Sequence, residues 1–205
     1  MYERFIAANE PITNLSETRE EFNWNVPQSL KDLIYECNSS SIGDGLYRIH
    51  SIDSSIHWAV IIEKYYPAYL GKLLPFGYDW LGRQFCIHRD RADLILMFDP
   101  STAEDFQLEE SLLDFHNGDL VSDRESILSD PLFNEVRRFL NFKELLSDEC
   151  VGYKVPLFLN GKDLNDNREK VKLEVYWEFQ CQIYHQIKDL PEGTKIGAIK
   201  FEERK

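Results

Sequence analysis

Closely spaced cysteines, long apolar runs and an excess of basic side chains are all missing from this 205-residue chain. Its four cysteines, Cys37, Cys86, Cys150 and Cys181, lie at least 30 residues apart and form no CxxC pair. That spacing suits buried reduced thiols and argues against a disulfide framework or a zinc knuckle. No apolar stretch approaches the roughly 18 to 20 residues needed to span a bilayer, and the longest, Ile56 to Ile62, is far too short. The opening Met1-Tyr-Glu-Arg-Phe-Ile has no basic region followed by an apolar stretch and a small-residue cleavage site, so a cytoplasmic protein is expected. With 36 acidic against 23 basic side chains and a net charge of -13, a nucleic acid backbone or an anionic membrane surface is a poor ligand. Glycine and proline, at 10 and 8 residues, are too few for a collagen-like or low-complexity chain.

The usual chemical signatures are also lacking. The five histidines (His50, His57, His88, His116 and His185) include no HExxH and no closely spaced pair, and His88 with Asp90 and Asp93 reads as a charged turn. No GxSxG elbow is present. Gly43 and Gly45 lack a phosphate-loop continuation, and Asp44 between them would repel a phosphate. His116, in Phe115-His116-Asn117, reads as a packing or capping residue; pairing with a carboxylate brought near by folding would make it an acid-base group in a hydrolase. No catalytic, cofactor-binding or metal-ligating residue is assigned, and no cofactor is expected.

What is present is a large aromatic complement of 13 Phe, 10 Tyr and 4 Trp, enough to bury an ordinary core without a covalent staple. A capped helix is predicted from Ser16, and a firmer one after Val26-Pro27 with Leu30, Leu33, Ile34 and Cys37 at three- and four-residue spacing. A strand over 46–50 is followed by a helix capped by Ser54 or Ser55, running to about Tyr65 and stopped by Pro67. Four short strands over 72–76, 83–88, 94–98 and 105–108, separated by GYDWLG, RDRAD and DPSTAE, predict an antiparallel meander. Helical pieces are predicted over 111–115, 123–129 and 131–146. Beyond them come an extended run over 151–159, a turn at Asn160-Gly161, and a long helix carrying Val175, Phe179, Ile183 and Ile187 at four-residue intervals. A last strand is predicted over 196–201. The expected fold is α+β, an antiparallel sheet with helices packed against it in one compact unit, with residues 1–147 as an N-terminal region and 148–205 as a strand-helix-strand region.

Two features point towards a partner. Between Asp99 and Glu149 there are 14 acidic and 4 basic residues, a density that reads either as a solvated surface or as a face steering a basic protein. In LLPFGYDWLGRQF, Gly77 and Gly82 permit unusual torsions around Tyr78 and Trp80, whose rings either cover their own hairpin or anchor a partner.

Three segments together resemble a known family. GLYRIHSIDSS, PFGYDWLGRQF with ILMFDPSTAEDFQL and FHN, and VGYKVPLFLNGKDLNDN with KVKLEVYWEFQCQI and LPEGTKIG, spanning about Gly45 to Ile199, resemble the bacterial GAD-like proteins and their associated C-terminal domain. Type VI secretion DNase immunity proteins are among these. The proline-opened helix VPQSLKDLI before a glycine-rich loop also resembles the wider SUKH immunity superfamily. The resemblance implies a non-enzymatic protein that binds a cognate toxin in the cytoplasm and blocks it sterically; it carries over no catalytic residue. A nuclease must present positive charge to its substrate, so the expected partner is a basic toxin, a DNase by this resemblance. Asp99, Glu104, Asp105, Glu109, Glu110, Asp114 and Asp119 are the expected steering residues, with Tyr78 and Trp80 as anchors. A constitutive cytoplasmic adaptor is the alternative.

Overall fold

Pro27, extended at φ -56° and ψ 144°, opens α2 (Gln28–Cys37), which buries Leu30, Leu33, Ile34 and Cys37. In the computed structural model, residues 1–10, 26–191, 193–197 and 199–201 are described; the helix expected from Ser16 lies outside them. A first short helix, α1 (Glu3–Asn9), precedes α2. Next come β1 (Ser41–Ile42) and β2 (Tyr47–Ile49), then α3 (Ile52–Tyr65). The cap of α3 is Ser51 rather than Ser54 or Ser55: its hydroxyl accepts from the Ser54 N–H at 3.1 Å. The other two serines are committed elsewhere, Ser54 to His50 and the Ser55 hydroxyl to the Pro75 carbonyl. α3 ends two residues before Pro67, whose ring cannot continue it.

The meander follows as β3 (Leu73–Asp79), β4 (Gln84–His88), β5 (Arg91–Asp99) and β6 (Glu104–Leu108). With β1 and β2 these form one six-stranded antiparallel sheet in sequential order. β3 extends past the expected turn start, through Gly77, Tyr78 and Asp79. The chain reverses only over Trp80 to Arg83, where the buried Asp79 carboxylate accepts the N–H groups of Leu81 and Arg83, each at 3.0 Å.

Alternation assigns side chains to the two faces. Leu74, Phe76, Phe85, Ile87 and Ile95 join one core cluster, while Leu73, Cys86, Leu94, Leu96 and Phe98 join the other. A register shift between Pro75 and Gly77 breaks the count. Tyr78 would otherwise share a face with Leu74 and Phe76; the bulge turns it into the second cluster, beside Arg48. Gly77 has no room for a side chain, since a Cβ there would lie 2.4 Å from the Tyr47 hydroxyl.

The first face is covered by α1, α2 and a run of short helices: α4 (Leu112–Asp114), a π-helical turn (Phe115–Asp119), α5 (Leu120–Ser122), α6 (Arg124–Leu128) and α7 (Asp130–Phe139). The second face meets α3 and α8 (Leu173–Ile187). Before α8 a two-stranded sheet pairs β7 (Glu149–Tyr153) with β8 (Arg168–Lys172), a strand with no counterpart in the expected elements. The buried stripe of α8 is Leu173, Tyr176, Trp177, Gln180, Cys181 and Ile183. Val175 and Phe179, from the apolar series read at four-residue spacing, are exposed. A strict four-residue step drifts around a 3.6-residue helix, and the two aromatic residues Tyr176 and Trp177 set the inward side instead. No strand forms over the described residues of 196–201; Phe201 stacks on Phe179 there, ring centroids 5.0 Å apart. Among the described residues no helix is long and apolar enough to cross a membrane.

Candidate partner-binding surfaces

Arg48 sits on β2 and is only 2% exposed, a guanidinium in an otherwise apolar strand. Its charge is met by carbonyl oxygens: Nη1 donates to Leu146 and Glu149, and Nη2 to Gly45. The guanidinium lies 4.6 Å from the centroid of the Tyr78 ring, on which the His50 ring also stacks at 4.7 Å. Tyr78 in turn donates its hydroxyl to the Ser147 carbonyl at 2.8 Å. These bonds tie the segment 144–149 to the sheet. The Glu149 carboxylate strengthens the same wall by accepting the Leu146 N–H at 3.1 Å and Lys170 Nζ at 3.1 Å. Burial would raise the Glu149 carboxyl, but these donors outweigh it and hold it below its ordinary value.

The wall, the start of α3 and the start of α8 enclose a cleft of about 1470 Å³. Serines and charges of both signs line it, among them Asp44, Glu144, Asp148, Lys172 and Glu174. Most of these charges are mutually engaged: Asp44 with Arg137, Asp148 with Lys172 at 2.7 Å, and Glu174 with His57 at 3.2 Å. The cleft has polar hydrogen-bonding walls and an aromatic floor.

His116 is fully buried in the other cluster. Its Nδ1 donates to the Leu112 carbonyl at 2.8 Å, so Nε2 is the acceptor for the Tyr47 hydroxyl at 3.2 Å. Burial drives its pKa down to about 3, opposed only by the Leu112 bond. Both nitrogens are occupied, by Tyr47 and the Leu112 carbonyl, and among the described residues neither bonds a carboxylate, which removes the His116-carboxylate pair of the hydrolase reading. His50 is likewise buried, held by Ser54 and Gln84, with its pKa lowered to about 3 chiefly by burial. All four cysteines are free and buried. Among the described residues no group of His, Cys, Asp or Glu side chains is arranged to hold a metal ion.

Trp80 is 0% exposed; its Nε1 donates to the Leu128 carbonyl at 2.7 Å and its ring packs on Phe133. It is therefore a core residue and no anchor for a partner, because the turn folds it inward beneath α6 and α7. Tyr78 is 6% exposed and belongs to the cleft floor, so it too presents no free ring. The acidic residues fall into two groups at the two ends of β6. Asp99 pairs in register with Glu104, and Asp105 accepts from the Tyr69 hydroxyl. At the other end Glu109 approaches Arg91 at 3.9 Å, and Glu110 meets Asp119 and Asp114. Burial first, then the charge of Asp119 and a hydrogen bond with it, push the Glu110 carboxyl up to about 7.

The cleft residues Arg48, Ser147, Lys172 and Glu174 were not among the expected site residues. A cation set between Tyr47 and Ile49 in a strand was the available signal.

Residues 12–118 match the SMI1 / KNR4 family (SUKH-1), more than half of the chain. The chain belongs to the SMI1/KNR4 (SUKH-1) family. Of the two likenesses read from the sequence, this match falls on the SUKH side. The crystal structure of Atu4351 from Agrobacterium tumefaciens is similar at a TM-score of 0.58 and 12% identity, covering 89% of this chain and 89% of that one. At that identity the likeness is one of fold. No curated protein sequence matches the chain. The family match takes in α2, α3, the whole six-stranded sheet and α4, while part of the cleft, including Asp148 and Lys172, comes from beyond it.

Proposed function

We propose that this SUKH-1 protein is an immunity protein that neutralises a basic bacterial toxin by occupying it, without transforming a substrate. Membership of a family associated with immunity proteins supports the role. The crowding of carboxylates around β6 carries the reading of a basic partner. Glu110 is held so close to Asp119 and Asp114 that its ionisation is opposed, and a cation brought by a partner relieves that repulsion. Asp99, Glu104, Asp105, Glu109, Glu110, Asp114 and Asp119 then act as the steering face. The finer identification, a DNase effector delivered by type VI secretion and met in the cytoplasm, rests on the GAD-like resemblance.

The test starts with the tagged chain purified from its own host and mass identification of what accompanies it. Stopped-flow association of that protein is then compared between the wild type and a variant with Glu109→Gln, Glu110→Gln, Asp114→Asn and Asp119→Asn. Slower association with a flatter salt dependence is expected. An acidic partner, or an unchanged salt slope, would rule the reading out. The cleft favours a second reading, a cytoplasmic adaptor: its mixed charges and serine-rich walls suit a peptide that is not strongly basic. Capture of a partner with no toxic activity would favour that one.

A further inference from the structure

The sheet closes with β1 at one end and β6 at the other. In an antiparallel pair alternate residues turn N–H and C=O away from the neighbour, so β6 offers a row of backbone groups outward. Among the described residues no backbone hydrogen bond meets that side of β6. Glu104, Asp105, Phe106 and Gln107 are all exposed, Phe106 by 42%.

Edges left open are templates for a further strand, and charge decides which strand. A second copy is disfavoured: parallel pairing of two β6 edges would set Glu104 and Asp105 against the same carboxylates, and antiparallel pairing centred on Phe106 would set Glu104 opposite Leu108, next to Glu109. A basic strand meets the opposite situation: cations beside Glu104 and Asp105, and an apolar or β-branched residue beside the Phe106 ring. We infer that the open edge of β6 takes up an extended, lysine- or arginine-bearing segment of the partner as a seventh strand of the sheet. This rests on the basic-partner reading above and supplies its geometry: backbone bonds give the grip, and the acidic pair gives the choice of sequence. Asp105 is already oriented for the task, because the Tyr69 hydroxyl donates to its carboxylate.

The probe is a synthetic peptide, Lys-Lys-Val-Thr-Val-Thr-Val-Lys-Lys, whose palindromic order satisfies parallel and antiparallel pairing alike. Its counterpart carries Glu in place of every Lys. Amide hydrogen exchange of the full chain, followed residue by residue, is expected to show alternate amides of 104–108 protected by the Lys peptide and not by the Glu peptide. In the Glu104→Lys, Asp105→Lys double variant the preference should invert, the Lys peptide binding roughly tenfold more weakly and the Glu peptide now protecting the same amides. Both changes are on exposed side chains, and gain of the Glu peptide shows that the variant is folded. Protection confined to the segment around Glu110 and Asp119 would overturn strand addition while leaving a basic partner in place. Absence of protection by the Lys peptide anywhere would overturn the proposal too, with the basic-partner reading judged separately by the salt slope of association.

Discussion

Replacing Glu110 by Gln should stabilise the free protein at pH 8 and leave it almost unchanged at pH 4.5. The carboxyl moves from an ordinary glutamate value of 4.5 in the unfolded chain to about 7 in the fold, through burial and the nearby Asp119 and Asp114. A raised folded-state pKa means that the contribution is fully present below pH 4.5 and is lost as the pH rises through 7. Taken without correction the shift corresponds to about 3 kcal/mol. The side chain is only partly buried, however, so solvent screening reduces this to about 1 kcal/mol. The assay is urea unfolding of the wild type and Glu110→Gln at closely spaced pH values from 4.5 to 8, at low and at moderate salt. The difference between the two proteins matters, not the wild-type curve, because His50 and His116 titrate across part of the same window with the opposite sign. The expected difference opens between pH 5 and 8 in favour of the variant and narrows with salt. Equal stability at pH 8, or a difference independent of pH, would refute the idea that crowded carboxylates are held there at a cost, and with it the reason to expect a basic partner.

Other predictions concern the core. His50 and His116, both lowered to about 3 by burial, contribute stability present above pH 6.5 that is lost as the pH falls towards 3. His116→Gln should therefore flatten the acid limb of the urea midpoint; an unaltered limb would show that His116 is not buried neutral. Trp80→Phe should cost about 2–4 kcal/mol in urea unfolding, from a smaller ring and an orphaned Leu128 carbonyl; lost partner binding at unchanged stability would instead make the ring a contact. Arg48→Met should cost about 3 kcal/mol and speed hydrogen exchange at Leu145 to Glu149, because the Gly45 and Glu149 carbonyls lose the guanidinium donor and Leu146 keeps only the Glu149 N–H; slow exchange there would remove Arg48 from its place as the clamp of the cleft wall.

The sequence by itself determined the helix after Pro27, the stop before Pro67, the antiparallel meander of an α+β fold, and the even spread of cysteines that ended as buried thiols. These depend on interactions between near neighbours in the chain, or on period-two alternation, and both are written in local order. Only the tertiary structure decided the side on which Tyr78 lies, since a single bulge at Pro75 and Gly77 reverses every later side chain of that strand. The same holds for Trp80, whose choice between core and surface depended on a carbonyl of Leu128, 48 residues away. The cleft was hidden for that reason: Arg48 is joined to Leu146 and Glu149 across separations of 98 and 101 residues, and no pattern read along the chain carries contacts of that range. The acidic residues stood out from the start, but that Glu110 meets Asp119 while Glu104 and Asp105 line an open strand edge is set by where β6 ends in the sheet.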